Sequence, residues 1–370
     1  MRIPLVDLSL QYREIADEVK AGLEAVMESG AFILGPAVAE FEAEFARASG
    51  VEHCIGVGSG TDALELILRA LDIGPGDEVI LPANTFIASA LAVVRAGAAP
   101  VLVDCDPDYY LIDVEQAAGR IGSRTRAIMP VNLFGQIAPM EALAEVAAGA
   151  GAAVVEDAAQ SHGARRHGRL SGSFGVAAGV SFYPSKNLGA YGDGGAVVTD
   201  DAEVVARVQR LRNWGSDQKY YHPEPGFNSR LDSLQAVVLR IKLERLAAWN
   251  EARRSAASRY DELLAEVPAV DTPRVLAGNE HVWHIYAVRV GDRDRIIEKL
   301  HAEGIGAGVH YPIPIHLQGA FSQLGHGQGA FPEAERAAAE MISLPLYPGI
   351  RPEQQERVVE VLAKAVRALG

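Results

Sequence analysis

The sequence predicts an α/β protein: a large domain with a mostly parallel sheet, covered by helices on both faces, followed by a smaller C-terminal α+β domain. Three observations predict it. Over the first 200 residues short apolar strand signals alternate with helical ones, the pattern of parallel strands joined by crossover helices. After residue 200 long helical stretches dominate and strands become rare. The chain, at 370 residues and 39.4 kDa, also exceeds one usual domain. The expected division is a large domain over 1–245 and a small one over 246–370.

The elements follow in order. Apolar runs predict strands over 53–58, 78–81, 100–103, 127–131, 153–155, 178–182 and 196–199. Between them, Leu64, Leu66, Ile67 and Leu71 have helical spacing over 61–71, and helices are expected over 86–96 and 140–148. A helix over 202–214 precedes what reads as one long helix over 232–267, rich in Leu, Ala, Arg and Glu. A strand over 284–290, a helix over 292–303, a loop with Pro and His over 309–317, and helices from Glu333 and Pro352 complete the chain. No internal repeat or low-complexity tract is found.

Composition narrows the function. Acidic residues outnumber basic ones, 48 to 34, for a formal charge of -14. This argues against a nucleic-acid partner, which calls for a basic surface. No run of about 18 apolar residues suggests a membrane span. Pro4 and Asp7 interrupt any signal-peptide core, so a cytoplasmic location is expected. Two cysteines, Cys54 and Cys105, read as buried thiols rather than a disulfide framework. No metal-ligand spacing stands out.

Three motifs carry chemistry. In Gly58-Ser59-Gly60-Thr61-Asp62-Ala63-Leu64 a strand ends in glycines and a helix begins. Free N–H groups and the positive end of the helix dipole suit a phosphate there. In Val154-Val155-Glu156-Asp157 a strand runs into two carboxylates at its C-terminal end, the edge where α/β sheets bind ligands. His162, just beyond, reads as a supporting histidine. In Ser181-Phe182-Tyr183-Pro184-Ser185-Lys186-Asn187-Leu188-Gly189 a lysine follows a buried strand. Partial burial lowers such a lysine's pKa and makes its amine a nucleophile. Each motif alone also reads as ordinary: a capped turn, a strand end, a loop lysine. Together they are what pyridoxal phosphate requires: a phosphate cradle, a lysine for the Schiff base, and an Asp that keeps the pyridine nitrogen protonated. Phe86 is placed to stack on the ring. A dinucleotide fingerprint is absent.

The sequence resembles the DegT/DnrJ/EryC1/StrS aminotransferases over nearly its whole length. The resemblance lies in Ile3-Pro4-Leu5-Val6-Asp7-Leu8, Phe32-Ile33-Leu34-Gly35-Pro36, Ser59-Gly60-Thr61-Asp62-Ala63-Leu64 and Glu156-Asp157-Ala158-Ala159-Gln160. It continues in Gly226-Phe227-Asn228-Ser229-Arg230-Leu231-Asp232, His310-Tyr311-Pro312 and Ser343-Leu344-Pro345. It implies the aspartate aminotransferase-like fold, fold type I of the pyridoxal phosphate enzymes. By motif, Lys186 would be the Schiff-base lysine and Asp157 the partner of the pyridine nitrogen. Gln160 would lie by the ring hydroxyl, Phe86 on the ring face, and Gly60, Thr61 and Ser181 at the phosphate. Asn228 would reach the phosphate of a neighbouring subunit's cofactor, which implies a homodimer with shared active sites.

The implied activity is transfer of an amino group from glutamate to a nucleotide-linked keto sugar, with pyridoxamine phosphate as the intermediate form. The lysine motif, with Tyr183, resembles the branch acting at C3 of dTDP-3-keto-6-deoxyhexoses. Tyr183, His310 and Tyr311 would then meet the sugar and Lys219 its pyrophosphate. A sugar 4-aminotransferase or a cyclitol aminotransferase is the nearest alternative, and a non-catalytic cofactor-binding sensor or scaffold a distant one. Where many relatives read His-Leu-Tyr-Gly, this chain has Asn132-Leu133-Phe134-Gly135, which is expected to change the polar groups near the cofactor.

Overall fold

The computed structural model describes residues 2–368. Its centre is a seven-stranded sheet in the order His53–Val57, Gly195–Thr199, Ala177–Ser181, Ala153–Asp157, Thr125–Ile128, Glu78–Pro82, Ala99–Val103. Gly195–Thr199 is antiparallel to both its neighbours and the other contacts are parallel. Strands such as Gly195–Thr199 are buried along their whole length, which is why they read as apolar runs rather than alternating ones. Helices Gly60–Ala70 and Ile87–Ala96 pack against each other, and their buried faces share a core with the sheet that includes Leu64, Ile67, Val93 and Val155.

A second core forms around helices Leu246–Leu264, Arg293–Ala302 and Pro352–Arg367 and the antiparallel pair Tyr286–Arg289 and Met341–Leu344. It also takes in Ile3 from the start of the chain, whereas Ile315, Phe321 and Phe331 pack on the first core.

Several expected elements differ. The strand over 127–131 is Thr125–Ile128; Pro130 has no N–H to donate, and Val131 makes only an isolated bridge with Asp157. The long helix over 232–267 is two, Ser233–Leu243 and Leu246–Leu264. They are joined by a tighter turn in which the Arg245 N–H donates to the Lys242 carbonyl. No Gly or Pro marks this break in the sequence. Helices Leu8–Ser29 and Pro36–Ser49 precede the first expected element. The first starts at Asp7, whose carboxylate accepts from the Ser9 N–H, and stops at Gly30 with φ 68°. Cys54 and Cys105 are buried free thiols. Among the described residues no helix is long and apolar enough to cross a membrane.

Candidate active site

The parallel strands end on one edge, and a cavity of about 380 Å³ opens there. Its wall is built by the turn after Glu78–Pro82 (Thr85, Phe86), the ends of Ala153–Asp157 and Ala177–Ser181, and the start of helix Gly60–Ala70. Lys186 reaches it from the loop after Ser181, and His284, His310 and Tyr311 close it from the C-terminal part of the chain.

Strand pleating sends Glu156 and Asp157 to opposite sides. Asp157 lines the cavity. Its Oδ2 accepts from the Ser89 hydroxyl at 2.6 Å and its Oδ1 from the Ala159 N–H at 3.1 Å. Since Ser89 donates to the carboxylate, the Thr85 hydroxyl 2.9 Å away must donate to Ser89. Burial raises the Asp157 pKa, opposed by these hydrogen bonds and by the charge of Lys186. Glu156 instead accepts from the backbone N–H groups of Gly172, Phe174 and Gly175 and from Asn132. It is a brace for the following loop.

Lys186 is half-buried. Burial pushes its pKa down to about 8, while Asp157 pulls it up. An amine with that pKa exchanges protons readily near neutral pH.

At the other end of the cavity, Ser59 caps helix Gly60–Ala70 by accepting from the Asp62 N–H at 3.1 Å. The earlier N–H groups of that first turn have no intrahelical acceptor. A Cβ on Gly60 would lie 2.7 Å from Ser181 Cβ, so only glycine lets the helix start come this close to Ser181. Thr61 and Ser181 line the cavity beside it. Pyridoxal phosphate fits this donor set: an anion cradle that a side chain would fill, a buried carboxylate, and an amine on one wall.

Gln160 is held on both sides: its Oε1 accepts from the Phe134 N–H at 2.6 Å and its Nε2 donates to the Tyr311 hydroxyl at 2.9 Å. The Phe86 ring is half exposed and lies 5.1 Å, centroid to centroid, from Tyr311. Tyr183 is exposed at the mouth. Burial and the charge of Lys186 push the His310 pKa down to about 4; its Nδ1 is 2.7 Å from Ser343 Oγ. His162 lies outside the cavity with its Nε2–H donated to the Ser181 carbonyl, but its Nδ1 is buried without a partner, so it is only half satisfied.

Two expected site residues are not brought to this cavity. Lys219 is exposed on a tight turn bridged by Gln218 and Tyr221. Asn228 is exposed and bridges to Asn213. The Asn132–Phe134 departure also falls outside the cavity: Asn132 braces Glu156 and Ser171, and the Phe134 ring is buried beside Tyr110. Neither side chain lines the cavity in this chain. The sequence reading missed Thr85, Ser89, Asn187 and His284. Asn187 adjoins the lysine and was the easiest to suspect; His284 opens the strand expected over 284–290, whose apolar signal hid it.

Comparison with known proteins decides the family. The model of the DegT/DnrJ/EryC1/StrS aminotransferase family matches residues 13–363. The chain belongs to this family. It is 46% identical to the dTDP-3-amino-3,4,6-trideoxy-alpha-D-glucose transaminase of Streptomyces venezuelae, covering 98% of this chain and 95% of the relative. It is also 46% identical to a protein of Geobacillus stearothermophilus named "Pleiotropic regulatory protein", over 99% of both. The crystal structure of S. venezuelae DesV in complex with a ketimine intermediate superposes with a TM-score of 0.96 at 46% identity, over 98% of each chain. The aspartate aminotransferase-like fold expected of this DegT/DnrJ/EryC1/StrS member is the one observed.

Proposed function

We propose that this protein is a pyridoxal phosphate-dependent aminotransferase that moves an amino group from glutamate to a nucleotide-linked keto sugar, at C3 of a dTDP-3-keto-6-deoxyhexose. The observation that carries this is the meeting of Lys186 and Asp157 in one cavity with the start of helix Gly60–Ala70. The C3 position and the nucleotide are supported by the name of the S. venezuelae relative and by Tyr183 in the lysine motif.

Bound pyridoxal phosphate supplies the electron sink for the carbon that loses its proton. The chain's own residues do the rest. Asp157 presents a carboxylate to the ring nitrogen, and Ser89 fixes its direction. Gln160, locked between Phe134 and Tyr311, meets the ring hydroxyl. Gly60, Thr61 and Ser181 hold the phosphate, and Phe86 covers one ring face. Lys186 anchors the cofactor and, when free, takes a proton from the amino donor and returns it. Tyr183, His310 and Tyr311 line the space left for the sugar. Asn228 and Lys219, exposed and away from this cavity, serve the cofactor phosphate and the substrate pyrophosphate of a second subunit in a homodimer.

The regulatory name of the Geobacillus relative favours a second reading, a cofactor-bound protein without turnover. One experiment separates the two. The visible absorption of the purified protein is recorded with pyridoxal phosphate, then with added glutamate. Conversion of the cofactor band to the pyridoxamine form is expected, and 2-oxoglutarate appears in equal amount. A stable, glutamate-insensitive band would leave the non-catalytic reading in its place. Product regiochemistry with keto-sugar substrates then decides between C3, C4 and a cyclitol.

A further inference from the structure

A chain of hydrogen bonds ties the lysine loop to the C-terminal part of the chain and ends at a histidine with no role so far. Asn187, buried beside Lys186, donates from Nδ2 to the Val282 carbonyl and to Asn250 Oδ1, each at 2.9 Å. Asn250 donates in turn from its own Nδ2 to the His162 carbonyl at 2.8 Å. Backbone carbonyls only accept, so both amides have one permitted orientation. Asn187 Oδ1 is then an acceptor, and His284 Nδ1, 3.1 Å from it, must carry the ring proton. The His284 Nε2 is left with a bare lone pair on a ring that lines the Lys186 cavity.

The other two histidines near Lys186 differ. The remaining ring nitrogen of His162, Nδ1, is buried without a partner, and His162 does not line the cavity. His310 pairs with the Ser343 hydroxyl, which can donate or accept, so its tautomer is not fixed. His284 is also held uncharged. Burial opposes its protonation first, then the charges of Lys186 and Arg253. Arg253 is buried behind it, donating to the Trp283 carbonyl at 3.2 Å.

We propose that His284 is a positioning residue for Lys186: the two line one cavity without a hydrogen bond between them in this structure, and the bare Nε2 accepts one from the Lys186 ammonium when that side chain turns to carry a proton, holding it on the cavity side. The ionisable groups facing Lys186 are Asp157, His162, His284 and His310, with Asp193 and Tyr311 on the same cavity and Arg253 behind His284. Of the three histidines, His284 alone has its tautomer fixed to offer an acceptor to the cavity. The consequence for rate rests on the transamination reading above; the proposed hydrogen bond does not.

The test uses the full-length protein in two states. Without cofactor, the pH dependence of Lys186 labelling by an amine-reactive reagent is read at its peptide by mass spectrometry. Removing an acceptor from the charged form should lower the labelling midpoint in His284→Phe by about one pH unit. His284→Gln, which keeps an acceptor, should stay near wild type. With cofactor, the single-turnover reaction with glutamate should slow about tenfold in His284→Phe and recover in His284→Gln. An unchanged midpoint in His284→Phe overturns the proposal. So does a shift that Gln fails to rescue, which would mark a merely structural effect. A midpoint unchanged while only the keto-sugar half-reaction slows would assign His284 to the sugar instead, and also overturns it. If labelling behaves as expected but wild-type protein ignores glutamate, the transamination reading fails and the hydrogen bond stands.

Discussion

Glu156 and Asp157 are neighbours in sequence and have opposite tasks, because one step along a strand turns a side chain to the other face. Glu156 takes backbone N–H groups from the next loop, while Asp157 keeps a cavity-facing carboxylate aimed by Ser89. We therefore predict that Asp157→Asn, which keeps the shape and loses the charge, slows transamination by about 100-fold or more with the protein folded. Glu156→Gln should instead lower the melting temperature, because buried N–H groups lose a charged acceptor. Steady-state rates and thermal melts of the two variants check the division; equal rate losses would refute it. Lys186→Ala should lose about four orders of magnitude in rate while still binding cofactor noncovalently, as equilibrium dialysis would show. At this scale the sequence was legible where chemistry is local. Lys186, Asp157 and Gln160 stand in motifs that announce them. Ser89, Asn187 and His284 do not, since what makes them matter is a partner far along the chain, such as Asn187 for His284.

Among elements, the helix Gly60–Ala70 is the one proposed to hold the cofactor phosphate at its start. Its approach to Ser181 leaves no room for a Cβ at residue 60. The backbone of Gly60 is not left-handed, for it is absent from the positive-φ positions, so alanine is excluded by contact and not by conformation. Gly60→Ala is expected to weaken cofactor binding about tenfold, ~1.4 kcal/mol, with a smaller effect on folding. Titration of the protein with pyridoxal phosphate, read by absorbance, checks this; an unchanged affinity would remove the helix start from the phosphate site. Legibility of elements followed the same logic of locality. Buried strands such as Gly195–Thr199 and helices with clear apolar spacing were readable to within a residue or two. The break at Glu244–Arg245 was not, because no helix breaker marks it: both residues keep right-handed helical dihedrals and only the hydrogen bonding tightens there.

At the scale of the whole molecule, we propose that the chain divides into a domain over 1–245 and one over 246–370, supported by the separate cores around Leu64 and around Ile296, while a smaller cluster joins Leu133 and Phe134 to Ala287 and Met341. The division is crossed in both directions, by Ile3 into the second core and by Ile315, Phe321 and Phe331 onto the first. The cavity lies across it, with Lys186 and Asp157 from one side and His284, His310 and Tyr311 from the other. The same incompleteness motivates the dimer. Asn228 and Lys219 are proposed to serve the cofactor phosphate and the substrate pyrophosphate, yet one chain leaves them exposed and apart from its own cavity. If they serve a second subunit, two inactive variants must complement each other. In a mixed dimer of Lys186→Ala and Asn228→Ala subunits, one site holds both defects and the other holds neither. Co-expression in equal amounts makes about half of the dimers mixed, with one intact site in each, so about a quarter of wild-type activity should return. Isolation of the mixed dimer through two different affinity tags should raise this to about half. If each chain completed its own site, the mixed dimer would carry no more activity than the average of its two inactive parents. That result would place Asn228 in the site of its own chain and not in the partner's.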